Sequence, residues 1–321
     1  MEKTIIPIAG GKGGVGKTFF SANLAIALAE MGYSTIAVDL DLGGSNLYSF
    51  LGLPNKFPGI GDFLKVRNAE LHELLVSTDT PNLQFLPGDG LSPFMANIQY
   101  AQKLRLMSHI VKLPAQYIML DLGAGTSFNT LDFFRLSRNG LVITTPEYPA
   151  IMNMLTFLKL FLLRVIEGNF KKDNRIREML RSLYKQPITT QRTIMESLRT
   201  GIASFDRHAA EKITEVCKIH RPRVIFNMGD HPDDMKISGQ IDNILGSSLS
   251  LEVDYFGFVF NDAAVRQSVK NRSVFLPRYR ESLTAKSIVQ IAERIVKYWG
   301  SQVKGSAGRI YQHACNIFEN K

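Results

Sequence analysis

The chain has 321 residues, of which 45% are hydrophobic, and this composition excludes a disordered or fibrous chain and indicates a globular protein with a full core. Its formal net charge of +9 favours anionic partners without selecting one. The two cysteines, Cys217 and Cys315, are far apart in sequence, which argues against a disulfide framework or a zinc ribbon. We therefore expect a reducing, cytoplasmic setting.

Short apolar runs alternate with helical stretches along the chain, as in repeated βαβ units. This alternation predicts a doubly wound α/β fold, with a mostly parallel sheet of seven or eight strands and helices on both faces. The runs predict strands at 4–9, 34–41, 83–88, 117–123, 141–147, 223–228 and 255–260. The longest apolar stretch, residues 155–166, is too short to span a bilayer and predicts a helix packed on the sheet.

The loop after the first strand carries a phosphate-binding pattern. Residues 11–18 fit G-x-x-x-x-G-K-[ST] between a predicted strand and a predicted helix at 19–32. In such a loop the backbone N–H groups and the helix N-terminus bind phosphate, the lysine reaches the β- and γ-phosphates, and the hydroxyl binds Mg²⁺. The predicted nucleotide-binding residues are Gly11, Gly13, Gly14, Val15, Gly16, Lys17, Thr18 and Phe19, with Thr18 also a metal ligand. The alternative is a glycine-rich turn that binds nothing.

Two aspartates, Asp39 and Asp41, end the second predicted strand. Alternate residues of a strand face the same way, so both carboxylates are expected near the phosphates. Carboxylates so placed can coordinate Mg²⁺ indirectly and position an attacking water, so Asp39 and Asp41 are candidates for these two roles. The alternative interpretation is that both acids cap the next turn.

A third acid follows the strand YIMLDLG at 117–123. Asp121 is predicted to bind Mg²⁺ through water, and Gly125 to donate its backbone N–H to the γ-phosphate. An aspartate at a strand end is common in α/β proteins, so this prediction depends on the glycine-rich loop.

Two segments lie outside the alternating pattern. Residues 169–220 form a predicted helical insertion, and from Lys171 to Arg207 it has nine Lys or Arg against four acids. Its basic face could attract DNA phosphates or anionic lipid, or could be solvated without a partner. The tail, residues 301–321, predicts a helix with an apolar face formed by Ile310, Ala314, Ile317 and Phe318. This helix either lies on a membrane or packs on the body or a partner. We expect one domain over residues 1–300 that includes the insertion.

The segment KGGVGKT at 12–18 has a second lysine, Lys12, ahead of the phosphate-binding lysine. This is the deviant Walker A signature of the MinD/ParA/Mrp/NifH group of P-loop ATPases, which the chain resembles over about residues 1–165 and 221–298. DLDLGGSNL and LDLGAGTSFNTLDFF are similar to MinD and FlhG-type members. The resemblance implies ATP and Mg²⁺, and an ATP-dependent homodimer in which Lys12 touches the partner's nucleotide, as an arginine finger does.

The same resemblance assigns an adenine site. It places Asn227 against the base and residues 257–277 over it, whereas the sequence alone is also consistent with an asparagine in a turn. Residues 144–151 resemble a T-P-E segment near the dimer interface. A few residues later the family often has an aspartate where this chain has Asn153, so any role that depends on an acid there is in question.

The function implied by the resemblance is a slow, partner-stimulated ATP hydrolase with Lys12, Lys17 and Asp41 as catalytic residues. It would act as an ATP-dependent dimerisation switch that positions a division site, a flagellum or other cargo, with an activator or cargo adaptor as partner. We expect it in the cytoplasm, or peripherally at the inner membrane or nucleoid. The alternative is a ParA-like partition ATPase that binds non-specific DNA through the insertion, and a third is a nucleotide-binding adaptor with negligible hydrolysis.

Overall fold

The computed structural model describes residues 3–88, 98–189 and 193–319. The strands are β1 (Thr4–Gly10), β2 (Thr35–Leu40), β3 (Val76–Ser77), β4 (Leu83–Leu86), β5 (Tyr117–Leu122), β6 (Leu141–Thr144), β7 (Arg223–Gly229) and β8 (Asp254–Phe260). The α-helices are α1 (Lys17–Glu30), α2 (Leu47–Phe50), α3 (Ile60–Lys65), α4 (Tyr100–Ile110), α5 (Phe128–Phe134), α6 (Tyr148–Asn169), α7 (Asn174–Tyr184), α8 (Ile194–Ala203), α9 (Arg207–Ile219), α10 (Ser238–Ile244), α11 (Ala263–Lys270), α12 (Phe275–Arg278), α13 (Leu283–Tyr298) and α14 (Ser306–Glu319).

The strands form one eight-stranded sheet in the order β3-β4-β2-β5-β1-β6-β7-β8. Every adjacent pair is parallel except β3 and β4. The predicted sheet is confirmed, and all seven predicted strands are present. The eighth, β3, has only two residues, too few for any periodicity in the sequence.

Helices cover both faces of the sheet, as predicted. One apolar core packs under α4, α5, α6, the insertion and α14, and the other packs under α1, α12 and α13. The central strands β2 and β5 are buried along their whole length, which explains why they appear in the sequence as continuous apolar runs. The carboxyl ends of β1, β2, β5 and β7 therefore point to one edge, where ligands of doubly wound folds bind.

Helix α6 is longer than the apolar stretch at 155–166 suggested. It has 22 residues, and within the described chain it is the one helix long and apolar enough, by length and composition, to cross a bilayer. The stretch 155–166 is the central part of this helix, which extends to Tyr148 at one end and to Asn169 at the other. The prediction that it packs on the sheet is confirmed, since 67% of its most apolar window is buried.

The insertion consists of α7, α8 and α9, of which α7 and α9 pack on α6 and α8 packs on α7 and α9. The predicted apolar faces are confirmed by burial of Ile176, Leu180, Leu183, Ile194, Leu198 and Ile202. Side chains of Asp173 and Asp206 accept backbone hydrogen bonds at the starts of α7 and α9. Arg192, one of the basic residues counted in the insertion, lies outside the described residues.

The tail helix α14 packs on the body of the protein, which agrees with that one of its two predicted arrangements. Ile310 and Ala314 are 3% exposed, and the ring of Phe318 stacks on Phe260 of β8. The hydroxyl of Tyr311 donates a hydrogen bond to Asp233 at 2.9 Å. The apolar face of the helix is therefore occupied by the protein itself in this structure.

Candidate active site

The glycine-rich loop connects β1 to α1 at the carboxyl edge of the sheet. Gly14 and Gly16 adopt left-handed backbone conformations, with φ of 86° and 80°. A Cβ on Gly16 would lie 2.4 Å from the Nδ2 of Asn227, and a Cβ on Gly11 would lie 2.4 Å from the backbone of Asn153 in α6. The loop is therefore held between β7 and α6, and these positions require glycine.

Lys17 is bound to the acid at the end of β5. Its Nζ lies 2.8 Å from the Oδ1 of Asp121, and both side chains are almost fully buried. The hydroxyl of Ser21 donates a second hydrogen bond, also 2.8 Å long, to the same oxygen. The Nζ of Lys17 is in addition 3.4 Å from the Oγ1 of Thr18. The structure thus brings together the predicted phosphate ligand and two predicted metal ligands.

One carboxylate oxygen of Asp121 is available to bind a cation. Its Oδ2 is buried and has no hydrogen-bond partner among the described residues. Those residues contain no group of three or more His, Cys, Asp or Glu that could hold a metal ion alone. A cation at Asp121 therefore needs further oxygen ligands, and nucleotide phosphates and the Thr18 hydroxyl are chemically suited to supply them.

Asp39 lies directly opposite Asp121 in the pairing of β2 with β5. Its two carboxylate oxygens accept backbone hydrogen bonds from Asp41 and Leu47, each 3.1 Å long. Burial, and then repulsion by Asp121, raises the pKa of Asp39 to about 8, although both hydrogen bonds and Lys17 oppose the rise. In this structure Asp39 accepts the backbone hydrogen bonds of the turn after β2, which agrees with the capping alternative for this residue. Its role in binding Mg²⁺ stays a prediction.

Asp41 lies against the segment that follows β5. Its Oδ1 would be 3.2 Å from a Cβ on Gly123, so a larger residue there would press on this carboxylate. The backbone carbonyl of Asp41 accepts hydrogen bonds from Gly44 and from the Ser45 hydroxyl. Asp41 therefore lies where a movement of the segment after β5 would reach it.

Gly125 is hydrogen-bonded within the chain, whereas Lys12 lies at the surface. The N–H of Gly125 donates to the carbonyl of Gly10 at 3.0 Å, with φ of 82°. It can meet a γ-phosphate only after this hydrogen bond breaks. Lys12 is exposed at the surface of the loop. Its contact with a second subunit stays a prediction.

Asn227 is buried at the end of β7 beside the loop. Its Nδ2 donates a 2.8 Å hydrogen bond to the carbonyl of Val15, so it supports the loop rather than standing in an open turn. Val15 and Phe19 are also buried, and the Phe19 ring contacts Phe275 edge to face. These two residues can offer only backbone groups to phosphate, and contact of Asn227 with adenine stays a prediction.

Two side chains at the site were missed by sequence reasoning. Ser21 shares the Asp121 oxygen with Lys17, and the signal was its position one helical turn after Lys17. The Asn23 Oδ1 accepts the backbone N–H of Leu276, which ties α1 to α12. The side chain of Asn153 donates to the carbonyl of Pro149 within its own helix.

The comparisons with known proteins agree with the fold and the phosphate-binding loop described above. A family model described as the CobQ/CobB/MinD/ParA nucleotide binding domain matches residues 6–298. The chain belongs to this family. The fold and the loop at 10–18 described above are those of a MinD/ParA-type protein.

Several curated proteins of this family are similar in sequence. The septum site-determining protein MinD of Helicobacter pylori is 34% identical over 150 residues, which cover 46% of this chain and 54% of MinD. The chain thus matches about half the length of that relative. The flagellum site-determining protein YlxH of the same organism is 30% identical, over 76% of this chain and 81% of YlxH. The antiactivator FleN of Pseudomonas aeruginosa is 24% identical, over 89% of this chain and 85% of FleN.

Solved structures of MinD/ParA-type proteins share the fold. MinD of Pyrococcus horikoshii, solved with Mg-ADP, has a TM-score of 0.59 at 18% identity, over 94% of this chain and 100% of that one. A ParA family ATPase of Chlorobium tepidum has a TM-score of 0.59 at 17% identity, over 91% of this chain and 98% of that one. At this identity the likeness establishes the fold alone.

Proposed function

We propose that this chain is an ATP hydrolase that works as an ATP-dependent dimerisation switch in the positioning of a cellular structure. The observation that carries the proposal is the separation of its two loop lysines. Lys17 is buried on Asp121, whereas Lys12 is exposed and free to reach a second subunit. The similarity to septum and flagellum site-determining proteins supports a spatial role.

The chemistry would begin with exchange of partners at Lys17. ATP phosphates would draw Lys17 away from Asp121, and this carboxylate would be released for Mg²⁺ together with Thr18. Bound Mg²⁺ would neutralise charge on the phosphate oxygens. Asp41 would orient the attacking water, and Lys12 of a second copy would stabilise charge on the transferred phosphoryl group. Hydrolysis would then be conditional on dimerisation.

The bonds of Gly125 supply a sensor for the γ-phosphate. Its N–H now bonds to Gly10, and exchange of that acceptor for a phosphate oxygen would move the segment before α5. Asp41 packs against Gly123 in the same segment, so the movement would reach the water-positioning group. We propose slow turnover in the isolated protein, with stimulation by a protein partner that stabilises this moved state.

The proposed location is the cytoplasm, with peripheral contact at the inner membrane or nucleoid when ATP is bound. The structure of MinD with MinC from Aquifex aeolicus shows that a related fold binds a protein partner. Two basic side chains of the insertion have partners within the chain: Arg199 donates to Ser250, and Arg207 pairs with Glu211. Ser250 is neutral and the Arg207–Glu211 pair is exposed, so the basic face of the insertion keeps its charge and the DNA-binding alternative stays open to test.

The test is the molar mass in solution with ADP and with ATP, together with ATP turnover, for the wild type, Lys12→Ala and the control Lys65→Ala. We expect a dimer only with ATP, and Lys12→Ala to bind nucleotide with at least tenfold lower turnover. A protein that stays monomeric with ATP, or hydrolyses equally well without Lys12, contradicts the proposal. Salt-sensitive, ATP-dependent retention on arbitrary duplex DNA would support the partition alternative instead.

A further inference from the structure

A second cavity lies apart from the glycine-rich loop, between α4, α5, α6 and the start of α7. Its volume is about 290 Å³. Five basic and two acidic side chains line it, which is an excess of three positive charges in a small concave space. The basic residues are Lys103, Arg135, Arg164, Lys171 and Arg177.

The two acids of the cavity are already neutralised. Asp132 is buried and accepts hydrogen bonds from Lys103 and from both the Nε and Nη2 of Arg164. Burial alone would raise the pKa of Asp132, but these hydrogen bonds outweigh it and the pKa lies below its ordinary value. Glu167 accepts hydrogen bonds from Arg164 at 2.8 Å and from the Tyr184 hydroxyl at 3.1 Å. Lys103 and Arg164 thus serve the framework of the cavity.

Three cations remain for a ligand. The nearest Arg135 nitrogen is 3.7 Å from Asp132, beyond hydrogen-bond distance. The Nζ of Lys171 contacts only the hydroxyl of Tyr100, at 3.5 Å, among the described residues. Arg177 projects from the first turns of α7 into the same space, and no described acid pairs with it. Arg135 is thus a more distant third cation on Asp132, and these three side chains, here called the cationic rim, carry the cavity's excess of three positive charges.

A glycine in α6 leaves space for the Arg135 side chain of this rim. Gly168 lies within α6, where glycine is unfavourable for a helix, and a Cβ there would come within 2.8 Å of the Arg135 Nη1. The remaining wall is apolar and is formed by the ring of Tyr100 with Leu104 and Met107. A concave cavity that is lined by cations and has one apolar wall is typical of a small-molecule site rather than of a flat nucleic-acid-binding surface.

We propose that this cavity binds a small polyphosphate anion, such as inorganic pyrophosphate or the diphosphate of a nucleotide. Guanidinium groups bind phosphate oxygens in pairs, and two guanidiniums and an ammonium match the charge of two adjacent phosphates. The fixed ion pairs beneath them hold the site ready before the ligand arrives. The apolar wall can take a base, so a nucleotide would bind more tightly than pyrophosphate if a base is recognised.

The cavity is connected to the nucleotide site through α5. Asp132 lies on this helix, which begins three residues after Gly125. A ligand that pulls on Arg135 and the Asp132 cluster would therefore act on the segment that must move when Gly125 leaves Gly10. The binding itself does not depend on the proposed function.

The experiment is calorimetric titration of pyrophosphate, and separately of guanosine diphosphate, into the full chain saturated with ADP and Mg²⁺. The test variant is Lys171→Gln with Arg177→Gln. The control is Lys172→Gln with Arg181→Gln, which removes the same charge from the same region without touching the cavity. We expect one further anion per chain, a dissociation constant at least tenfold weaker in the test variant, and less than a twofold change in the control.

Three results would overturn the proposal. The first is no saturable binding to the ADP-loaded wild type, or heat accompanied by release of a fluorescent ADP analogue, which would place the anion in the glycine-rich loop. The second is an equal loss of anion affinity in the two double variants, which would indicate long-range electrostatic attraction rather than a specific site. The third is a test variant that keeps pyrophosphate affinity but loses affinity for duplex DNA. Unchanged melting temperatures and ADP affinity show that the variants are folded.

Discussion

Gly16 is the residue at which the loop depends most on the absence of a side chain. Its φ of 80° is unfavourable for any L-residue, and a Cβ would collide with the amide of Asn227. We expect Gly16→Ala to lower the free energy of unfolding by about 1–3 kcal/mol and to abolish nucleotide binding. Gly13 is the matched control, because a Cβ there meets open space and its φ is not left-handed.

Urea denaturation of the nucleotide-free protein measures this difference. Gly13→Ala should stay within about 0.5 kcal/mol of the wild type. If both variants unfold at the wild-type urea midpoint, the left-handed conformation at Gly16 does not contribute to stability as described.

Asp39 makes the stability of the nucleotide-free protein depend on pH in an unusual direction. Its pKa of about 8 is above the ordinary value of 3.8, so the folded state holds a proton that the unfolded state has released. The stability contributed by this proton is full below about pH 4 and is lost as the pH rises to 8, because ionisation places a charge in a buried position and, secondly, close to Asp121. The free energy of unfolding of the wild type should fall between pH 5.5 and 8.5. We expect this fall to be smaller by about 1–3 kcal/mol in Asp39→Asn.

Melting temperatures at pH 5.5, 7.0 and 8.5 test this prediction, with the exposed Asp79→Asn as control. The change of melting temperature with pH is the readout. The absolute melting temperature is not, because the amide of Asn also changes the hydrogen bonds that Asp39 accepts from Asp41 and Leu47. A slope in Asp39→Asn equal to that of the wild type would show that another group is responsible.

Among the elements, α7 depends on a side chain from α6. Lys159 is 3% exposed, and its Nζ donates to the carbonyls of Leu183, Tyr184 and Gln186 at the end of α7. Burial lowers the pKa of Lys159, but its ammonium group donates to three carbonyls at or just beyond the end of α7, where a helix leaves carbonyls short of intrahelical partners. We expect Lys159→Met to destabilise the end of α7 by about 1–3 kcal/mol.

Hydrogen exchange locates this effect. Amides at 180–186 should exchange about tenfold faster in Lys159→Met, which corresponds to about 1.4 kcal/mol. Lys172→Met, a change at an exposed lysine of the same region, should leave them unchanged. Faster exchange throughout the chain would instead indicate global destabilisation.

The sequence predicted the elements where local patterns determine them. Seven strands are continuous apolar runs, and the loop lysines and strand-end aspartates occur at recognisable spacings. It failed where an interaction is set by tertiary packing. Nothing near Lys159 shows that its ammonium group caps another helix, and nothing near Gly125 shows that its N–H is bonded to Gly10. The position of β3 was missed because two residues carry no period.

The whole molecule has one apolar core on each face of the sheet, and the insertion belongs to the first of them. Ile176, Leu180, Met195 and Leu198 are buried in the same cluster as Leu158 and Phe161 of α6. The insertion is therefore expected to unfold with the sheet rather than before it. Trp299, the only tryptophan, reports from the other side of the molecule, where its ring meets Phe256 edge to face.

Leu180→Ala tests this cooperativity. We expect a loss of about 2–5 kcal/mol, as for other leucines in a close-packed core. Thermal unfolding should shift by the same amount whether it is followed by Trp299 fluorescence or by far-ultraviolet circular dichroism, because a single transition carries both signals. Val111→Ala, at a half-exposed position near the end of α4, should shift neither curve appreciably. Loss of helical signal in Leu180→Ala before any change at Trp299 would mean that the insertion is a separate folding unit, and the expectation of a single domain would be wrong.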